Sequence, residues 1–304
     1  MSRLQEFRRQ LKGSLLRTSR PLAGARAGQF KVRARGSGSD LDQLRDYQAG
    51  DDVRFIDWKS SARVQRVVVR DYRDERSRTV HLVCDISRSM DFGMGTHRIS
   101  DIAQETALML AVLCENAGDA CGLFLADERV SMRLAASIGL QQTARIQAAL
   151  SAAVSASRPD EVHAPANLGT WCAQLGLHRL RSSLLFLISD FATDIDRTFA
   201  TWALPLARRH VVVAIRLRDE SERYPGLLGN RWLLRDSEEA ASLRLEAASD
   251  AFEAAEQLTG WRREQARELT RAGLLVCDLF SDGDTQQQLS AGLQRAGLLT
   301  RSRI

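Results

Sequence analysis

Apolar positions follow two rhythms along this chain. Short continuous apolar runs at residues 80–84, 120–126, 184–188, 211–217 and 274–280 have strand length. Such runs suit strands buried on both faces, as in a parallel sheet. Between them, apolar residues recur every three or four positions, which predicts helices over 101–117, 140–154, 168–180, 194–209, 246–272 and 285–296. Asn116-Ala117-Gly118 stops the first of these. Pro205 should kink or shorten the fourth, and Thr259-Gly260 should interrupt the fifth. Residues 130–134 pair back on the second strand as a hairpin. Alternating strands and helices of this kind predict an α/β fold, a doubly wound, mostly parallel sheet of Rossmann type with helices on both faces.

Three segments break the rhythm. Residues 3–16 place Leu4, Phe7, Leu11 and Leu15 at helical spacing among arginines. Residues 36–78 open on Gly36-Ser37-Gly38-Ser39, pass a turn at 49–52, and hold short strand signals at Val53, Phe55 and Val67-Val68-Val69. Residues 219–245 carry turn signals and a short strand over 231–234, an insertion expected to pack on 36–78. The expected division is therefore a basic N-terminal arm (1–35), a small β subdomain (36–78, joined by 219–245), and one α/β domain (79–218 with 246–304).

Charge sharpens this picture. The net charge is +5, yet residues 1–35 hold ten Lys or Arg against one acid, Glu6, so the arm is +9 and the rest 5 − 9 = −4. A basic helix of this kind can lie on anionic lipid or on nucleic acid. Docking on the body by its one apolar stripe is the simpler reading, and removal of residues 1–20 is expected to leave the body folded. Nucleic-acid binding is disfavoured, because the arm offers only Phe7 and Phe30 for stacking. The five cysteines are odd in number and lack a CxxC pair, so they read as reduced, buried hydrophobes. The five histidines have no zinc-ligand spacing. No run reaches membrane-span length and no secretory signal opens the chain, so a cytoplasmic protein is expected, with a membrane surface still accessible to it.

Candidate chemistry sits where the first apolar run ends, in Asp85-Ile86-Ser87-Arg88-Ser89. Ligands in open parallel sheets bind at the carboxyl ends of strands. Three oxygen-bearing side chains at alternate positions can converge on a hard divalent cation, Mg²⁺ or Mn²⁺. Equally, Asp and Ser here can cap the next helix. A second run ends in Ser189-Asp190. Neighbouring strands bring such ends together, and two carboxylates with Ser87 and Ser89 favour the cation over the cap. Farther upstream, Asp51, Asp52, Arg54, Asp57, Lys59, Arg63 and Arg70 crowd around Trp58, which is expected to be buried among partly buried ion pairs.

Asp85-x-Ser87-x-Ser89 after a buried strand resembles the metal-ion-dependent adhesion site of von Willebrand factor A-like domains. Arg45-x-Tyr47-x-x-Gly50-Asp51-Asp52-x-Arg54-x-Ile56-Asp57-Trp58-x-x-x-Ala62-Arg63 is similar to the signature of the bacterial domain of unknown function 58 family. The resemblance spans roughly residues 28–280. It implies an A-like domain joined to a small β subdomain, with Asp85, Ser87, Ser89 and Asp190 as metal ligands. It also implies a MoxR-type AAA+ ATPase as partner, together with a client protein. One departure stands out. The family's metal-site threonine falls on Ala166, which removes a hydroxyl and weakens the ion; Asn167 and Thr170 are the available substitutes.

Enzymatic roles lack support. There is no P-loop GxxxxGK[ST], no HExxH and no GxSxG. A metal-dependent phosphoesterase is the enzymatic alternative. The reading favoured by the sequence is a protein-binding adaptor with no small-molecule substrate, acting with its ATPase in assembly or maturation of a protein complex.

Overall fold

The computed structural model describes residues 3–16, 41–48, 53–72, 78–91, 93, 97–127, 131–156, 168–192, 199–222, 232–235, 242–245 and 248–301. Helix α1 (Arg3–Gln10) leads into strand β1 (Ser14–Leu16). Strand β2 (Leu41–Asp46), helix α2 (Trp58–Val64) and strand β3 (Val68–Tyr72) follow. Next come β4 (Thr79–Asp85), α3 (Ile99–Ala117), β5 (Ala120–Ala126), β6 (Ser131–Ser137) and α4 (Leu140–Ala156). Then α5 (Leu168–Gln174), β7 (Leu184–Ser189), α6 (Phe199–Arg209), β8 (Val211–Arg218), β9 (Trp232–Arg235) and β10 (Ser242–Leu245). The chain closes with α7 (Ala248–Arg271), β11 (Leu275–Phe280), α8 (Thr285–Arg295) and β12 (Leu299–Arg301). Two compact units result, Met1–Gly24 with Thr79–Ile304, and Ala25–Arg78.

The larger unit is built on a six-stranded sheet in the order β11-β8-β7-β4-β5-β6. Every pair is parallel except β5–β6. Counted within this sheet, the order runs 6-5-4-1-2-3, the doubly wound arrangement whose switch point lies between β4 and β7. Alternation along β7 shows why its sequence is apolar throughout. Leu184, Phe186 and Ile188 face one core, shared with α3 and α8, and Leu185 and Leu187 face a second, shared with α5 and α6. Helix α3 is apolar nearly all round because it is central to the first core, and Gly118 ends it in the left-handed conformation at φ 68°. All five cysteines are buried thiols.

Residues 3–16 belong to this unit. Leu4, Phe7, Leu11 and Leu16 join the first core. Arg8 makes a bidentate pair with Glu115, both bonds at 2.9 Å, and Arg3 meets Glu105 at 2.7 Å. Asn116 donates to the Leu11 carbonyl at 3.0 Å. The helix stops early because Gly13 turns at φ 77°, so Leu16 and not Leu15 is buried, on β1 paired antiparallel to β12. The expected arm therefore divides near residue 24, and its first part is core.

Other expectations also shift. Helix α7 runs unbroken through Gly260, a cost of about 1 kcal/mol against Ala that a long helix absorbs. Helix α6 continues past Pro205 to Arg209. Gly176, at φ 62°, ends the expected 168–180 helix early in a turn of 3₁₀ helix at Leu177–Arg179. Val53–Phe55 is a turn of 3₁₀ helix, not a strand. The insertion supplies the hairpin β9–β10, which groups with the larger unit.

In the smaller unit, β2 and β3 pair antiparallel, with α2 between them in the chain. Asp57 caps α2 by accepting the Ser60 amide at 3.0 Å, and the Ser61 hydroxyl accepts the Val68 amide at 2.9 Å.

Phe7→Ala should destabilise the protein by about 3–5 kcal/mol, the usual loss for a buried phenylalanine. Deletion of residues 1–16 should lower the thermal midpoint by several degrees or more. Urea unfolding checks the first, and calorimetry the second. A deletion with wild-type midpoint means that α1 contributes nothing to the core.

Candidate functional site

The last residue of β4 is Asp85, and Asp190 directly follows β7, so both acids stand at the switch point. Parallel register sets Cys84 opposite Ile188, leaving Asp85 beside Ser189. The Ser189 hydroxyl donates to Asp85 Oδ2 at 2.6 Å and lies 3.5 Å from Asp190 Oδ1. Asp85 Oδ1 accepts the Ser87 amide at 2.8 Å, a tight turn that folds the next residues back over the strand end. Ser87 Oγ and Ser89 Oγ are 3.1 Å apart. Asp85, Ser189 and Asp190 are thus joined by hydrogen bonds across the two strand ends, with Ser87 and Ser89 paired beside them. Four of these five residues were singled out as ligands from sequence; the fifth, Ser189, was legible from its place before Asp190.

Both acids are buried, at 5% and 6% exposure. Burial first, and then the neighbouring Asp190 charge, pushes the Asp85 carboxyl up to about 7. Burial also raises Asp190, opposed by the Ala192 amide, Arg262 and Ser89. Each Asp85 oxygen accepts one hydrogen bond, from the Ser87 amide or the Ser189 hydroxyl, and retains a further lone pair. A cavity of about 20 Å³ adjoins Asp85, Ser87, Ser100 and Gln104, room for a single water.

A clamp on the Asp190 turn was not legible in sequence. Phe191 holds a left-handed backbone at φ 55°, strained for a bulky residue, with its ring fully buried in the second core. The Ser189 hydroxyl accepts its amide at 3.0 Å, and Gln265 of α7 donates to its carbonyl at 2.8 Å. Arg262 of α7 donates to the Asp190 carbonyl at 2.6 Å and binds Glu222 with both arms. Buried Arg216 of β8 braces the helix, donating to the Arg262 carbonyl, to Gln265 and bidentately to Asp278.

The substitutes for the missing hydroxyl do not resolve equally. Thr170 is exposed on α5. Ala166 and Asn167 lie outside the described residues, as do Gly50, Asp51 and Asp52 of the upstream signature. Of that signature, Asp57 is buried as the cap of α2, Arg45 lies in β2, and Tyr47, Arg54 and Arg63 are exposed. Trp58 is 68% exposed, which overturns its expected burial. The cause is local: with Asp57 turned inward at the cap, the next side chain projects outward.

The donor chemistry suits a hard cation. Among the described residues no three His, Cys, Asp or Glu side chains converge as a metal site. The strand ends instead offer two carboxylates and hydroxyls, all hard oxygens. Burial raises both acids, so each favours its protonated form where no counter-charge is at hand.

Comparison with known proteins places these features. The profile of the family described as "Protein of unknown function DUF58" matches residues 43–267. Over 190 residues the chain is 32% identical to uncharacterized proteins Mb1516 of Mycobacterium bovis and Rv1480 of Mycobacterium tuberculosis, covering 60% of this chain. It spans 56% of the length of those relatives. Among solved structures, BatB from Bacteroides thetaiotaomicron overlaps with TM-score 0.46 at 12% identity, covering 73% of this chain and 98% of that one. The SpRpn10 VWA domain overlaps at 0.39 and 12%, covering 71% and 95%.

The raised Asp85 pKa makes a signed prediction for the metal-free protein. Unfolded, the carboxyl loses its proton near 3.8; folded, near 7. Between these the folded state holds the extra proton, so stability falls as pH rises and is highest below the unfolded value. Asp85→Asn should flatten that slope and raise the thermal midpoint above neutral pH in the presence of a chelator. Thermal melts across this pH range check it; an unchanged slope means that Asp85 is not the titrating group.

Proposed function

This chain belongs to the DUF58 family, and we propose that its α/β domain is von Willebrand A-like and that it is a metal-dependent protein-binding adaptor. In this reading Asp85, Ser87, Ser89 and Asp190 hold Mg²⁺ or Mn²⁺, and Ser189 orients Asp85. Bound there, the ion would act as a Lewis acid that accepts a carboxylate oxygen from another protein. The observation that carries the reading is the buried pair of acids beside the Ser87, Ser89 and Ser189 hydroxyls. Their two negative charges match one divalent cation without surplus, so a third carboxylate can approach.

The partner in this reading is a MoxR-type AAA+ ATPase, with a client whose assembly or maturation it serves. That assignment rests on the family resemblance of residues 45–63 and of the Asp85 motif. An ATP-driven partner places the interaction in the cytoplasm. No helix among the described residues is long and apolar enough to cross a membrane. A surface role for the basic N-terminal segment draws less support, because Arg3 and Arg8 are committed to Glu105 and Glu115. With one hydroxyl replaced by Ala166, the ion is held weakly until a partner supplies its acid, and the two binding events strengthen each other by the same factor.

Calorimetric titration with Mg²⁺ and Mn²⁺, then affinity measurement for a MoxR-type ATPase of the same organism with and without chelator, tests this. Wild type should bind the ATPase on the order of tenfold more tightly with the ion, within the usual range of linked binding. Asp85→Asn should bind equally in both buffers. If chelation leaves wild-type affinity unchanged, the ion has no part in recognition.

A further inference from the structure

We propose that the outward face of α2, in the smaller compact unit, docks an acidic segment of a partner protein that presents apolar side chains. The inference is independent of the Asp85 site and of any metal. Six of the ten exposed large apolar side chains among the described residues fall in this unit, and the largest and most exposed of them stands on α2. They are Val53 at 61% exposure, Trp58 at 68%, Val64 at 47%, Leu44 at 43%, Val67 at 42% and Tyr47 at 37%.

Charge identifies the occupant. Lys59 and Arg63 lie one turn apart on α2, and both are exposed. Neither has a carboxylate partner among the described residues. Trp58 and Ala62 form the neighbouring row on the same helix. The face therefore combines a large exposed indole with two unmatched cations. A carboxylate-bearing segment can meet Lys59 and Arg63 while an apolar side chain packs on Trp58. Tryptophan and arginine are the residue types that most often dominate protein–protein binding energy.

A protein segment fits this surface better than a nucleic acid. Apart from Trp58, α2 carries no aromatic side chain on which successive bases could stack. Burial of Asp57 as the cap of α2 explains how such a face persists: the helix is anchored from beneath by Asp57 and Ser61, leaving its outer residues no structural duty.

The test uses the full chain with chelator present, so that the Asp85 site plays no part. The probe is a fluorescein-labelled peptide of alternating glutamate and leucine, followed by anisotropy. Wild type should bind it, and added salt should weaken the complex. Trp58→Ala and the double variant Lys59→Glu/Arg63→Glu should each weaken binding by about tenfold or more, as for removal of a hot-spot side chain. The double variant alters only exposed side chains, so it carries the test even if Trp58→Ala lowers the thermal midpoint. The proposal is overturned if wild type does not bind the peptide, or if the charge-reversed variant binds equally well. It is likewise overturned if a lysine–leucine peptide binds as tightly, or if oligo(U) RNA binds more tightly and displaces the acidic peptide.

Discussion

A carboxylate taken out of water must keep a proton, gain a counter-charge, or be held by donors. The larger unit places two of them side by side, and much of its local architecture follows. Ser189 bridges the two strand ends, the amides of Ser87 and Ala192 each donate to one acid, and the Ser87 and Ser89 hydroxyls pair beside them. These donors lower the cost of burial without removing it, since Asp85 remains raised to about 7. A structural cap has no need of such company. Asp57 shows the contrast: it caps a helix terminus by accepting an amide and has no second carboxylate of the site beside it.

The strained turn at Phe191 belongs to the same constraint. The chain turns immediately after β7, where the bulky Phe191 holds a positive φ beside Asp190. Strain of this kind, of order 1–3 kcal/mol, persists only where surroundings over-determine it. Here the Phe191 ring fills the second core, while Gln265 and Arg262 fix both adjacent carbonyls from α7. Arg216 in turn ties α7 to β8 and β11. The geometry of the site is thus set by a helix that begins far downstream of either acid.

Local pattern and distant contact divide what the sequence could reveal. Asp85 and Asp190 were legible because each ends an apolar run, and a run buried on both faces has one place to put an acid, its end. The six-stranded sheet was legible for the same reason. Arg262, Gln265 and Arg216 were not, since polar residues on a long helix and in a strand give no sign of the tertiary partners that bury them. Leu16 was missed because Gly13 breaks the helical period that made Leu15 look apolar-facing. Gly260 and Pro205 misled in the opposite direction. Their local penalties are real, but tertiary packing outweighs them when the flanking residues sustain the helix.

Trp58 exposes a further limit of reading charge density as burial. Opposite charges crowded around an aromatic residue predict a buried network only if the aromatic itself has somewhere to go. Among the described residues of the smaller unit, an antiparallel strand pair and a seven-residue helix bury few side chains. These are Ser61, Val68, Val69 and the Asp57 cap. An indole at the first position of that helix is then left on the outside with Lys59 and Arg63. The same cap that makes α2 stable therefore determines which side chains the unit displays. The larger unit keeps its polar chemistry inside, at the end of a sheet; the smaller one presents apolar surface and cations without a scaffold deep enough to hide them.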